Sequence, residues 1–168
     1  MKILLISLVL FFTNIAEEKW KTFVDTANKY TLEYPADWEV QEIGGRKGLT
    51  TLLDDENDKF AENINVISIP FIKTDVSQPG FEKGMVDQLK TQFKTFKYLG
   101  STVKTLNGKK MLRINYITDY EGIMLNLSQY LYSTESRLYA VTVTVPEKGN
   151  PAYITLAEKV IGTLKVTK

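Results

Sequence analysis

A chain of 168 residues, 43% hydrophobic and 24% charged, is long enough to bury one core and too apolar to be disordered by default. Its formal charge of +1, with the two signs interleaved, leaves no electrostatic footprint for DNA, RNA or anionic lipid. The sequence has no Cys and no His, which excludes disulfides, thiolate metal sites, and Ser–His–Asp and Cys–His nucleophile systems.

The first residues depart from this average. Lys2 precedes an apolar run from Ile3 to Phe12, and Thr13-Asn14-Ile15-Ala16 then leads to the charged Glu17-Glu18-Lys19. A basic start, an apolar centre and a small residue at the cut are the layout of a secretory signal peptide. Residues 1–16 are therefore expected to be a signal peptide and 17–168 one domain. The apolar run is short for a bilayer core of about 30 Å, so no stable membrane span is expected after cleavage. An exported chain without disulfides fits a bacterial periplasmic or secreted location.

After the lead-in, Tyr30, Leu32 and Tyr34 alternate with Thr31 and Glu33, the period of a half-buried strand. Pro35 cannot donate to a ladder and closes that strand. Trp38 then opens a second run to Ile43 and reads as a core anchor, because few side chains bury more apolar area. Gly44 and Gly45 mark a turn, and residues 49–53 read as another short strand. Asp54, Glu56 and Asp58 alternate like a calcium loop, but Lys59 stands where such a loop requires Gly. They are weak metal candidates in a solvated acidic loop. Asn63 to Ile72 is rich in β-branched residues, with Ile64 and Val66 on one face and Ile67, Ile69 and Phe71 on the other. Apolar residues on both faces predict a central strand.

A helix is expected from about Phe81 to Phe96, with Phe81, Met85, Leu89 and Phe93 recurring every fourth residue. Asn107-Gly108 between alternating runs is a strong hairpin signal. It pairs Val103 with Leu112 and predicts Val103, Leu112, Ile114 and Tyr116 on one buried side. Strands at Ile123–Tyr132 and Leu138–Val145 complete a four-strand antiparallel meander. Asp119 and Glu121 flank its second turn and read as turn residues rather than a glycosidase pair. Asn150 caps a second helix with Pro151 at its first position, and Gly162 is expected at its C-terminal cap. Leu164 and Val166 finish the chain as an edge strand.

Strands and helices in this order predict an α+β fold, an α/β/α sandwich with a central antiparallel sheet and two main helices. The Tyr30, Tyr34-Pro35 and Trp38 pattern, the strand at 63–72, the helix at 81–96, the Asn107-Gly108 hairpin and the closing helix together resemble the PsbP-like family. The resemblance implies this same sandwich over the chain from about residue 18. It also implies kinship with photosystem II extrinsic subunits, a yeast Ran-binding import factor and exported bacterial proteins of unassigned role. The plant members' metal-linked His residues have no counterpart here, so the closest expectation is an exported bacterial relative.

No catalytic residue and no cofactor is expected. The expected role is a non-enzymatic binding module acting through a protein partner in assembly or maintenance of an envelope complex. Tyr130 and Tyr132, on the strand face opposite the leucines, are weak candidates for that contact. The alternative role is a small-ligand or lipid carrier, with a pocket between sheet and helix lined by Phe81, Met85 and Leu89.

Overall fold

The chain from Tyr30 to Glu39 passes from one sheet to another, and the turn between them is what Pro35 imposes. The computed structural model describes residues 19–43, 45–51 and 60–167. The proposed signal segment and Asp54, Glu56 and Asp58 lie outside the described residues. Strands β1 (Trp20–Asp25) and β2 (Tyr30–Pro35) pair antiparallel, with β10 (Lys165–Val166) on the other flank of β2. At Pro35 the ladder stops, and the Trp38 N–H donates to Pro35 O at 3.1 Å to close the turn. Trp38 is 5% exposed and stacks on Tyr153 with ring centroids 5.3 Å apart, confirming it as a core anchor.

The larger sheet has seven strands in the order β3-β4-β5-β9-β8-β7-β6, all antiparallel neighbours. Its members are β3 (Glu39–Ile43), β4 (Arg46–Thr50), β5 (Asn63–Pro70), β6 (Lys97–Leu106), β7 (Lys109–Tyr120), β8 (Ile123–Ser133) and β9 (Arg137–Pro146). β4 begins three residues earlier than the hydrophobic pattern predicts. The Ile43–Arg46 pairing makes the turn only two residues long, so Arg46, Lys47 and Gly48 join the strand. β6 to β9 form the expected meander. Asn107 and Gly108 take φ values of 47° and 76°, a left-handed two-residue turn that matches strand twist.

Helix α1 (Pro79–Gln92) covers one face of the larger sheet; helix α2 (Pro151–Gly162) and the small sheet cover the other. Successive residues of β7 and β8 therefore enter different cores. Leu112, Ile114, Tyr116, Leu125, Leu127 and Leu131 meet Val86 and Leu89 of α1. Met111, Tyr130, Tyr139, Val141 and Val143 meet Ala157, Val160 and Ile161 of α2, with Tyr30 and Leu32 of β2. The α+β assignment holds, with the three-stranded sheet as an addition that shares a layer with α2.

Three expectations change. α1 ends at Gln92 because Phe93 adopts extended backbone (φ −116°, ψ 132°). Phe93 and Phe96 still pack, from the connection, against Tyr116 at 5.5 and 5.2 Å. Val103 does sit opposite Leu112, but β6 is the outermost strand and Val103 stays 45% exposed. Gly162 is the last helical residue of α2 rather than a left-handed cap; Thr163 ends the helix in right-handed backbone (φ −80°). The Gly162 carbonyl instead accepts from Asn107 Nδ2 (3.2 Å) and Lys109 Nζ (3.4 Å), so the β6–β7 turn caps α2.

At the other end of α2, the Asn150 side chain accepts from the Ala152 N–H at 2.9 Å, with Pro151 beginning the helix. Replacing this acceptor by a methyl leaves an orphan donor. Asn150→Ala is expected to cost about 1 kcal/mol, a drop in Tm of roughly 2–4 °C read by circular dichroism. Asn150→Asp should retain most of the wild-type value.

Candidate functional site

Polar side chains on an apolar sheet face must find partners when a helix closes over them. Arg113, Asn115 and Ser128 lie on the α2 side of β7 and β8, and Glu158 of α2 meets them. Glu158 Oε1 accepts from Tyr130 OH at 2.7 Å and from Lys104 Nζ at 2.6 Å, with Arg113 Nη1 at 3.6 Å. Arg113 donates from Nη2 to Ser128 Oγ at 3.0 Å, and Ser128 Oγ donates to Asn115 Oδ1 at 2.8 Å. The guanidinium also lies 5.6 Å from the centre of the Tyr130 ring. Burial pushes the Glu158 carboxyl up, but the Lys104 and Tyr130 hydrogen bonds and the Lys104 and Arg113 charges outweigh it. They hold the group below its ordinary value. Burial and the bond to Glu158 push the Tyr130 hydroxyl up. Three contacts, from Lys104, Arg113 and Tyr130, tie Glu158 of α2 to β6, β7 and β8, while Arg113 Nε is buried without a partner among the described residues.

Tyr130 is fully buried, which removes it as a surface contact. The face opposite the leucines looked outward only because sequence spacing cannot show that α2 covers it. Tyr132 is half-buried and packs at the margin of the same core. Phe81, Met85 and Leu89 pack into the α1 core and line none of the three clefts described below. Asp119 Oδ1 accepts from the Gly122 N–H at 3.2 Å, as a turn residue does. Among the described residues no three acidic side chains gather to hold a metal ion, and no helix is long and apolar enough to cross a membrane.

The open clefts lie elsewhere, two of them along the flank and beyond the end of β5. A cleft of about 520 Å³ separates the β1–β2 turn (Val24 to Asn28) from the β3–β4 hairpin tip (Gly45 to Lys47), with Val66 to Ile69 of β5 between them. The first wall is anchored: Tyr139 OH donates to Asn28 O and Lys29 O at 3.2 Å each. Where β5 ends, Pro70, Phe71 and Ile72 border a second, shallower groove of about 670 Å³ with Glu135 and Ser136. Ile69 is 46% and Ile72 86% exposed, while Phe71 rests on Phe81 of α1 at 6.1 Å. A third cleft, of about 340 Å³, is lined by Lys73, Asp75, Lys110 and Tyr132. There Lys110 already pairs with Asp75 at 3.4 Å.

Sequence reading found the β5 residues but assigned both faces to the core. The one available signal was Pro70, whose missing donor suits a strand flank without a partner.

A family profile for PsbP matches residues 18–166, and the chain belongs to the PsbP family. Solved structures share its fold at low identity. LpqN of Mycobacterium tuberculosis, described as involved in cell envelope biogenesis, superposes with a TM-score of 0.60 at 15% identity, over 92% of this chain and 88% of its own. Cyanobacterial PsbP from Synechocystis gives 0.59 at 15% identity, over 91% and 95%. A Bacteroides thetaiotaomicron protein gives 0.58 at 17% identity over 88% of this chain, which spans only 48% of that protein's length. No curated protein matches the chain.

The Glu158 cluster makes a pH prediction. A carboxylate held below its unfolded value adds stability that is present above the unfolded value, near 4.3, and is lost as pH falls through the folded one. Glu158→Gln should lower Tm at pH 7 by several degrees, corresponding to about 2–3 kcal/mol. The gap from wild type should narrow below about pH 4. Thermal melts of both proteins from pH 3 to 8 provide the measurement.

Proposed function

We propose that this chain is an exported, non-catalytic module that binds a protein partner in a cell envelope, through the flank and end of β5. The observation that carries the reading is the exposure of Ile69, on the cleft beside β5, and of Ile72, on the groove beyond its end. A strand that buries Ile64 and Val66 at one end, exposes Ile69 at the other and is followed by the exposed Ile72 leaves apolar area in reserve for association. The rim of the groove is polar, with Lys73 paired to Glu135, which suits a protein interface. Export is supported by the Lys2 to Ala16 layout, and an envelope setting by the likeness to LpqN. The contacts of Glu158 tie α2 to the sheet, and the reading assigns no catalysis to them.

Three measurements test this. Mass spectrometry of the chain expressed in its own envelope should show a mature form beginning at Glu17. A photo-crosslinking amino acid at position 72 should trap one discrete protein adduct in the native envelope, while the same probe at the exposed Lys94 should trap none. Ile69→Lys with Ile72→Lys should abolish a partner's binding without lowering Tm. Equal adducts at 72 and 94, or none at either, would overturn the assignment of this surface.

A further inference from the structure

Antiparallel pairing alternates, so each residue of β5 directs both main-chain groups to one neighbour or to the other. Two bonds outside the ladders set the phase. The Phe71 N–H donates to Ser136 O, beyond the end of β9, at 2.9 Å; the Thr51 N–H donates to Glu62 O, beyond the end of β4, at 3.0 Å. Odd-numbered residues of β5 thus face β9, and even-numbered ones face the β4 side. The ladder with β4 covers only Asn63 to Asn65, whereas the ladder with β9 runs from Asn63 to Pro70. Beyond Asn65, β4 and β5 fork apart. Ser68 then points its N–H and C=O into the cleft, where no described strand pairs with them.

Ser68 is held in that pose from its other side. Arg137 Nε donates to Ser68 Oγ at 2.6 Å, and Nη2 donates to Ser68 O at 3.3 Å. The carbonyl therefore has one partner and room for a second, while the N–H has no strand acceptor among the described residues. Pro70 follows on the same side and has no donor, so the open stretch is short. A stretch this short takes one peptide segment and is a poor template for sheet-to-sheet aggregation.

The cleft lining carries two positive charges, on Arg46 and Lys47, against one negative charge on Asp25. Arg46 and Lys47 at the hairpin tip are exposed, and their side chains make no ion pair or hydrogen bond among the described residues. Asp25, the acidic residue of the lining, is already engaged by Asn28, from its N–H and its Nδ2 at 2.9 Å each. Apolar positions alternate on the floor, with Val66 toward the α2 core and Ile67 and Ile69 on the opposite face.

We infer that this cleft receives an extended segment of the partner protein, which adds as a short strand to β5 at Ser68 and places an acidic side chain against Arg46 and Lys47. Main-chain pairing supplies affinity in such a complex, and alternate side chains supply selection. The inference rests on the protein-binding reading above and names the form the partner takes.

A phage-displayed library of random ten-residue peptides, panned on the full-length chain, is the probe. Enriched sequences are expected to alternate β-branched with polar residues and to carry Asp or Glu. The synthetic peptide of the leading sequence should slow amide hydrogen exchange at Ser68 at least tenfold. It should bind an Arg46→Glu, Lys47→Glu variant at least tenfold more weakly, although that variant melts as wild type does. N-methylation of alternate peptide nitrogens should abolish binding. No enrichment, protection confined to other amides, or unchanged binding of the N-methylated peptide each overturns strand addition. A discrete adduct at position 72 combined with any of these would leave the binding module standing without it; loss of the adduct as well would remove both.

Discussion

Burial of the larger sheet on both faces is the constraint from which the rest of this structure follows. Along β7, Met111 and Leu112 are adjacent, point to opposite sides and are both buried; along β9, Leu138 and Tyr139 do the same. Apolar area on two faces is removed from water only if two layers cover it, at about 25 cal/mol for each Å². α1 supplies one layer. α2 and the small sheet supply the other. Polar residues that the alternation leaves beneath a layer must then satisfy one another, and the Arg113, Glu158, Tyr130 and Lys104 cluster is the result.

The two layers are attached differently. α2 is pinned by directional bonds at its end: Asn107 and Lys109 reach the Gly162 carbonyl, and Thr163 Oγ1 accepts from the Glu33 N–H at 2.8 Å. These join the β6–β7 turn, α2 and β2 across long sequence separations. α1 is held chiefly by rings and aliphatic chains, with Phe81 on Phe71 at one end and Phe93 beside Tyr116 at the other. Neither layer extends over the far end of β5. What this coverage leaves open is a strand flank beside a fork in the sheet, with Ile69 exposed on it and Ile72 exposed beyond its end.

The scaffold persists across very different sequences. Identities of 15–17% with LpqN, the cyanobacterial protein and the Bacteroides protein accompany superpositions near a TM-score of 0.6, so the sandwich tolerates almost complete replacement of its side chains. Such replacement is possible because the core asks for apolar volume at the right period, which many sequences supply. In the proposed binding mode, selection falls to local features, the Arg46–Lys47 tip and the Ser68 edge.

Local chemistry determined much of this architecture from the sequence by itself. The Asn107-Gly108 turn and its register, the Asn150-Pro151 start of α2, the alternation of β8 and β9, and Trp38 as an anchor all depend on neighbours a few residues away or on a period. The tertiary structure alone decided coverage. Tyr130 and Val103 illustrate it in opposite directions: one reads as outward and is sealed by α2, the other reads as inward and lies on an edge no helix reaches. Likewise, Ile67 and Ile69 look like core because periodicity reports which residues share a face, while only packing decides whether that face is covered. The open flank of β5 belongs to this second kind. A main-chain group is unpaired only through the absence of a neighbouring strand, and which strands become neighbours is settled by contacts between residues far apart in the chain.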